Sequence, residues 1–165
     1  MFSISRRSLI ITVSATICSA AQARSSDISA IKVEHTACLG TCPIYSLTIF
    51  RDGRVKYEGK GFVKEKGIRT KTISTGEFKR LAAKVDETGF FKLKPAYRAN
   101  ITDLPTIIVT VVRGTERKRV EDYFGAPKRL HGLEELIENV ANISRWVKLD
   151  DKAAGEEFER AIRQR

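Results

Sequence analysis

The chain has 165 residues, 42% of them hydrophobic and 30% charged, with a formal net charge of +10. That length supports one domain around a single core and leaves too little for two, and no internal repeat or low-complexity tract interrupts it. The basic excess points to anionic surroundings such as lipid head groups or cell-wall polymers. Because the basic residues are interspersed with acids, the preferred reading is charge that keeps copies of a soluble protein apart, and no specific nucleic-acid interface is expected.

Arg6 and Arg7 precede an apolar run from Ser8 to Ile17, after which the residues turn small from Ser19 to Ala23. This is the layout of a cleaved secretory signal over residues 1–23, with Ala21-Gln22-Ala23 as the small-x-small pattern before the cut. The run is too short to cross a bilayer as a helix, so no transmembrane segment is expected after cleavage. Ser5-Arg6-Arg7-Ser8-Leu9-Ile10 also resembles a twin-arginine signal. Paired arginines before an apolar run are common, however, and the general secretory route is the expectation. Ile17 stands where lipid attachment at Cys18 would need a small residue. The mature protein is therefore expected in the periplasm or outside the cell, where the remaining pair, Cys38 and Cys42, would form a disulfide.

Residues 24–30 are polar and small and read as a flexible leader to a domain over 31–147. Ile31, Val33 and His35 alternate with Lys32 and Glu34, the period of a half-buried strand. Beyond the cysteines Tyr45, Leu47 and Ile49 alternate in the same way. Asp52-Gly53 then signals a hairpin turn with both central residues at positive φ, and Val55 to Lys60 returns. Residues 61–67 are a charged connection, and Ile68 to Ile73 is a fourth, threonine-rich strand. Ser74-Thr75-Gly76-Glu77 is a capping box opening a helix whose core face is Phe78, Leu81, Ala82 and Val85, ended by Gly89.

A long loop follows over 94–105. Ile107 to Val112, apolar on both faces, predicts a central strand, and Arg117 to Phe124 alternates as its partner. Gly125-Ala126-Pro127 breaks that strand and opens a second helix with the stripe Leu130, Leu133, Ile137, Val140 and Ala141. Trp146 and Val147 close it, and residues 148–165 form an amphipathic tail, expected to be helical. The order ββββαββα predicts an α+β domain: an antiparallel sheet of about six strands with two main helices on one face. The other face would carry Lys56, Lys60, Arg69, Lys71, Arg117 and Arg119, diluted by Glu58 and Glu121; a solvated face is the first reading and an anion-binding surface the second.

The stretch from His35 to Tyr45 holds both mature cysteines. Four residues apart, Cys38 and Cys42 can bond only if the chain turns back between them, and Gly40 can adopt the angles of such a turn. The small loop would stabilise by about 2 kcal/mol and mainly fix local shape. A second reading is a copper or zinc site of Cys38, Cys42 and His35, for which His131 is the other available imidazole. Cys-x-x-x-Cys-Pro resembles the motif of Sco-type copper chaperones, but there it opens a helix, whereas Ile44 to Phe50 reads as strand. Redox catalysis ranks lower, since three residues separate the cysteines and no helix N-terminus follows.

Thr36-Ala37-Cys38-Leu39-Gly40-Thr41-Cys42-Pro43-Ile44-Tyr45, with Asp52-Gly53, Tyr57-Glu58-Gly59, Thr102-Asp103-Leu104-Pro105 and Gly125-Ala126-Pro127, resembles the bacterial family labelled domain of unknown function 6438. The likeness spans Ile31 to about Val147, with Leu39 in place of a more usual phenylalanine. It implies exported or lipid-anchored proteins without an established activity and supplies no catalytic residues.

Other chemistry is sparse. Tyr97, Asn100, Thr102 and Asp103 are a candidate polar site in the long loop, although Thr102 and Asp103 also suit a turn before Pro105. The sequence thus points first to a non-enzymatic exported module that binds an anionic envelope component or a periplasmic protein, without a cofactor. The second choice is a metal-handling protein on the cysteine stretch, and the third an enzyme built on the 97–103 loop.

Overall fold

The computed structural model describes residues 27–149 and 151–163, apart from the side chain at position 151. The expected signal over 1–23 and the start of the leader lie outside the described residues. Seven strands form one sheet: β1 (Ile28–His35), β2 (Ile44–Phe50), β3 (Arg54–Gly61), β4 (Gly67–Thr72), β5 (Ala96–Tyr97), β6 (Ile107–Arg113) and β7 (Glu116–Asp122). Their order across the sheet is β4-β3-β2-β1-β6-β7-β5. All pairs are antiparallel except β5 with β7. The helices are α1 (Thr75–Thr88), α2 (Lys128–Ala141), the short α3 (Ser144–Val147) and α4 (Asp151–Arg163). The chain has the expected α+β architecture.

The core lies between one face of the sheet and the helices α1 and α2. Alternation along each strand sends Ile31 and Val33, Leu47 and Ile49, Val55 and Tyr57, and Val109 and Val111 into it, where they meet Phe78, Leu81 and Val85 of α1 and Leu130, Leu133 and Ile137 of α2. The capping box that opens α1 is present: the Glu77 amide donates to Ser74 Oγ at 3.1 Å and the Ser74 amide to Glu77 Oε2 at 2.7 Å. Gly89 ends the helix in the left-handed region.

Several boundaries differ from expectation. β1 begins at Ile28, inside the expected leader, because Ile28 is fully buried. The sheet gains β5 from the expected long loop: Ala96 and Tyr97, too short a run to show alternation, pair with Glu121 and Asp122. At the first hairpin only Gly53 has positive φ, +85°, while Asp52 does not. The connection is therefore a three-residue loop with glycine in the left-handed position, and a Cβ there would meet the Ile73 carbonyl at 2.3 Å. Pro127 caps α2 from outside rather than sitting within its first turn.

Within the tail, α4 runs over Asp151–Arg163, and it is tied to the domain. Glu157 of α4 accepts the Phe62 amide at 2.8 Å and pairs with Lys66 at 2.8 Å. The same β3–β4 connection donates the Glu65 amide to the Trp146 carbonyl at 2.9 Å. Among the described residues no helix is long and apolar enough to cross a membrane.

The register also divides the six basic residues expected on one face. Lys56 pairs with Thr48 and Thr70, and Arg119 with Thr110, all on the face away from α1 and α2; Lys60 and Arg117 share that face by alternation. Arg69 and Lys71 instead pair with Tyr57 and Val55, whose side chains are core, so they project on the helix side. Lys71 reaches across to donate to the Ala141 carbonyl at 2.7 Å, capping the negative end of α2. The sequence placed β4 one residue out of phase, since a strand exposed on both faces carries no hydrophobic alternation to fix it.

Candidate functional site

Four neighbouring strands end on one row at the same edge of the sheet. His35, the last residue of β1, pairs with Tyr45 on β2 and with Ile107 on β6, and Ile107 pairs with Asp122 at the end of β7. His35 therefore closes a central strand, not an outer one. Over this row lies α2, whose apolar stripe seats it on the core and so brings His131, Glu134 and Glu138 along its flank to the row of strand ends. Between them opens a groove of about 690 Å³ with an apolar side at Pro105, Ile107 and Phe124. Its polar side carries both imidazoles, His35 and His131, and the carboxyl groups of Asp122, Glu134, Glu135 and Glu138.

Glu138 is engaged through one carboxylate oxygen. Tyr45 donates its hydroxyl to Oε1 at 2.6 Å, and His35 Nε2 lies 2.6 Å from the same atom. The His35 and Tyr45 rings stack with centroids 4.5 Å apart, and Tyr45 continues through Tyr57 to Trp146. Loss of hydration pushes the Glu138 carboxyl up, but the hydrogen bonds from His35 and Tyr45 outweigh it and hold the group below the ordinary range. The Tyr45 phenol is driven well above its ordinary value, first by burial and then by the Glu138 charge. This phenol therefore remains a donor at any physiological pH.

Glu134, one turn earlier, is the opposite case. It is 5% exposed, and its Oε1 is buried without a hydrogen-bond partner. Burial, then the charges of Asp122 and Glu138, push its carboxyl up to about 8. Asp122 is also buried, at 8% exposed, and its Oδ2 lies 2.8 Å from Nε2 of the half-exposed His131. One ligand-capable atom from each of Asp122, His131 and Glu134 falls within 4.8 Å of the other two.

The residues singled out by sequence fare unevenly. Cys38 and Cys42 form a disulfide with Cα atoms 5.7 Å apart. The expected copper or zinc set is not assembled, because the bonded sulfurs offer no thiolate and the His35 ring is turned to Glu138. Gly40 makes the intervening turn without positive φ. In the 97–103 segment the groups are spread rather than convergent. The Tyr97 hydroxyl accepts the Lys94 amide, and Thr102 donates to its neighbour Asp103 at 3.1 Å. Asp103 takes a φ of +75°, fitting the turn expected before Pro105, and Asn100 is exposed. Lys56, Lys60, Arg117 and Arg119 share the open face with Lys32 and with Glu34, Glu58 and Glu121. Lys32 pairs with Glu34 at 2.8 Å, and Arg119 pairs with Glu121.

Sequence reading missed Asp122, Glu134 and Glu138. A signal for Glu134 was there: it lies four residues after Leu130 and three before Ile137, in line with the buried stripe, where a carboxylate needs a reason. Nothing in the sequence brings Asp122 to His131 without the sheet register.

Comparison with known proteins adds a family and no activity. The family model described as domain of unknown function (DUF6438) matches residues 29–141, from β1 to the end of α2. No curated protein matches the chain.

Proposed function

Because this chain belongs to that family, whose description names no activity, we propose its function from its geometry: an exported binding module that receives a positively charged ligand group in the groove beside α2. Export is supported by the arginine-led apolar start of the sequence and by the Cys38–Cys42 disulfide, a bond that persists in oxidising compartments.

One observation carries the binding reading. In a chain with 30 lysines and arginines, none of those among the described residues lines this groove, while four carboxyl groups and two imidazoles do. A buried acid without a partner is costly, and a cation seated against Glu134 would replace the proton that burial otherwise imposes. The groove is open and its lining surface is mostly apolar, which suits a ligand with one charged end and one hydrophobic body. On the open face, by contrast, acids alternate with the bases along the same strands, so anion binding there lacks a comparable concentration of one sign.

The test uses isotope-labelled mature protein titrated with arginine amide and, separately, spermidine, followed by amide chemical shifts. The expected shifts concentrate at His35, Asp122, His131 and Glu134 and weaken in Glu134→Gln. Saturating probe that moves no groove resonance, or moves only the open face, would contradict the reading.

A further inference from the structure

We propose that Asp122, His131 and Glu134 form a binding site for a divalent transition cation, with zinc as the representative ion. The inference rests on the groove being the place where positive charge is received, and it names the kind of charge.

Three features carry it. The donor atoms come from two elements that the fold fixes independently, Asp122 at the end of β7 and the i, i+3 pair His131 and Glu134 on α2, and all lie within 4.8 Å of one another. Ligands held at 2.0–2.1 Å by a tetrahedral zinc stand roughly 3.3 Å apart. The Asp122–His131 separation of 2.8 Å therefore needs only a slight opening, and Glu134, within 4.8 Å of both, would close in on the ion by a side-chain adjustment. Next, the Glu134 Oε1 is a buried acceptor with no donor to serve it, in a residue only 5% exposed that lines the groove. A sheet-end pair of Asp122 and His131 would be complete without Glu134; a third ligand, and second carboxylate, within reach of both is what a cation requires. Finally, the donors are chemically matched to the ion. One imidazole with two carboxylates and no thiolate suits zinc or its first-row neighbours rather than copper(I). Three protein ligands also leave a fourth position for water or for a ligand group from solution. His131, with its side chain 52% exposed, gives the ion a route in.

The surroundings are arranged as a supporting shell. Glu138 lies one turn beyond Glu134, with its Oε1 held by His35 and Tyr45, and adds negative potential beside the site. Among the described residues no lysine or arginine lines the groove to oppose the ion. The position differs from the cysteine stretch that the sequence suggested, and it uses the second histidine instead of the first.

Untagged mature protein, stripped with a chelator and dialysed, would be titrated with zinc by calorimetry and by elemental analysis after gel filtration. The expected result is one zinc per chain, with affinity falling at least about tenfold in both His131→Ala and Glu134→Gln and unchanged in Cys38→Ser/Cys42→Ser protein. His131 is half exposed, so its variant tests the site without emptying the core, and circular dichroism would verify folding of each. Absence of zinc uptake, or uptake indifferent to both substitutions, overturns the proposal. Should zinc fail while arginine amide or spermidine still shifts the groove resonances, the metal assignment falls and the cation-binding groove stands; should all three fail, both fall.

Discussion

Glu134 and Glu138 lie a single turn apart on α2 and face the same groove, yet the fold treats them in opposite ways. Glu138 receives a phenol and an imidazole at 2.6 Å each and is held below the ordinary carboxylate range after its desolvation is overcome. Glu134 receives nothing at Oε1 and is raised to about 8 by burial and by neighbouring acids. The difference separates a carboxylate that completes the structure from one the structure leaves incomplete. The first ties α2 to the ends of β1 and β2, next to the disulfide loop. The second has a cost in folding that a ligand would remove.

Substitution should expose that contrast as a difference in sign. Glu138→Ala leaves the His35 ring and the buried Tyr45 hydroxyl without their acceptor and is expected to destabilise the protein by about 3 kcal/mol, measured by urea denaturation. Glu134→Leu, of similar size and with nothing to desert, is expected to stabilise the cation-free protein by about 1–2 kcal/mol in the same experiment. Equal losses from both substitutions would erase the distinction.

The pH dependence sharpens it further. Glu134 has a folded value raised to about 8 against an ordinary 4.5, so the folded state holds a proton that the unfolded state releases. Its favourable contribution is complete below 4.5 and is lost as pH rises through 8. Glu138 is shifted downward, so its contribution is present above the unfolded value and is lost as pH falls through the folded one. Chelator-treated protein should therefore lose stability between pH 5 and 8 at up to about 1 kcal/mol per unit. Glu134→Leu should flatten that limb while leaving the acid limb intact. A falling limb that survives in Glu134→Leu would assign it to another group.

The same contrast explains what the sequence made legible. The strand alternation of Ile31 to Ile49, the Ser74–Glu77 box and the α2 stripe are local periodic signals, and each corresponds to an element of the structure. The disulfide was legible too, because two close cysteines behind an expected export signal suggest a bond without any tertiary information. β5 was hidden, since two residues between Pro95 and Arg98 carry no period. β4 was recognised but faced the wrong way, because exposure on both sides removes the signal that sets the register. The groove was opaque for a different reason. His35 and Asp122 become neighbours in one row only through Ile107 and the pairing of three strands, and they meet Glu134 and Glu138 only when the helix docks. Chemistry assembled from four elements leaves no spacing to read along the chain; what it left was an acid in the wrong place on an amphipathic helix.

The most direct test of the central contrast is to titrate the side-chain carboxyl carbons of isotope-labelled mature protein by NMR in chelator-treated buffer. Glu134 is expected to titrate near 8 and Glu138 below the ordinary carboxylate range, with only the first collapsing to an ionised, pH-independent signal when zinc is added. Two glutamates titrating together near 4.5, indifferent to zinc, would contradict the account.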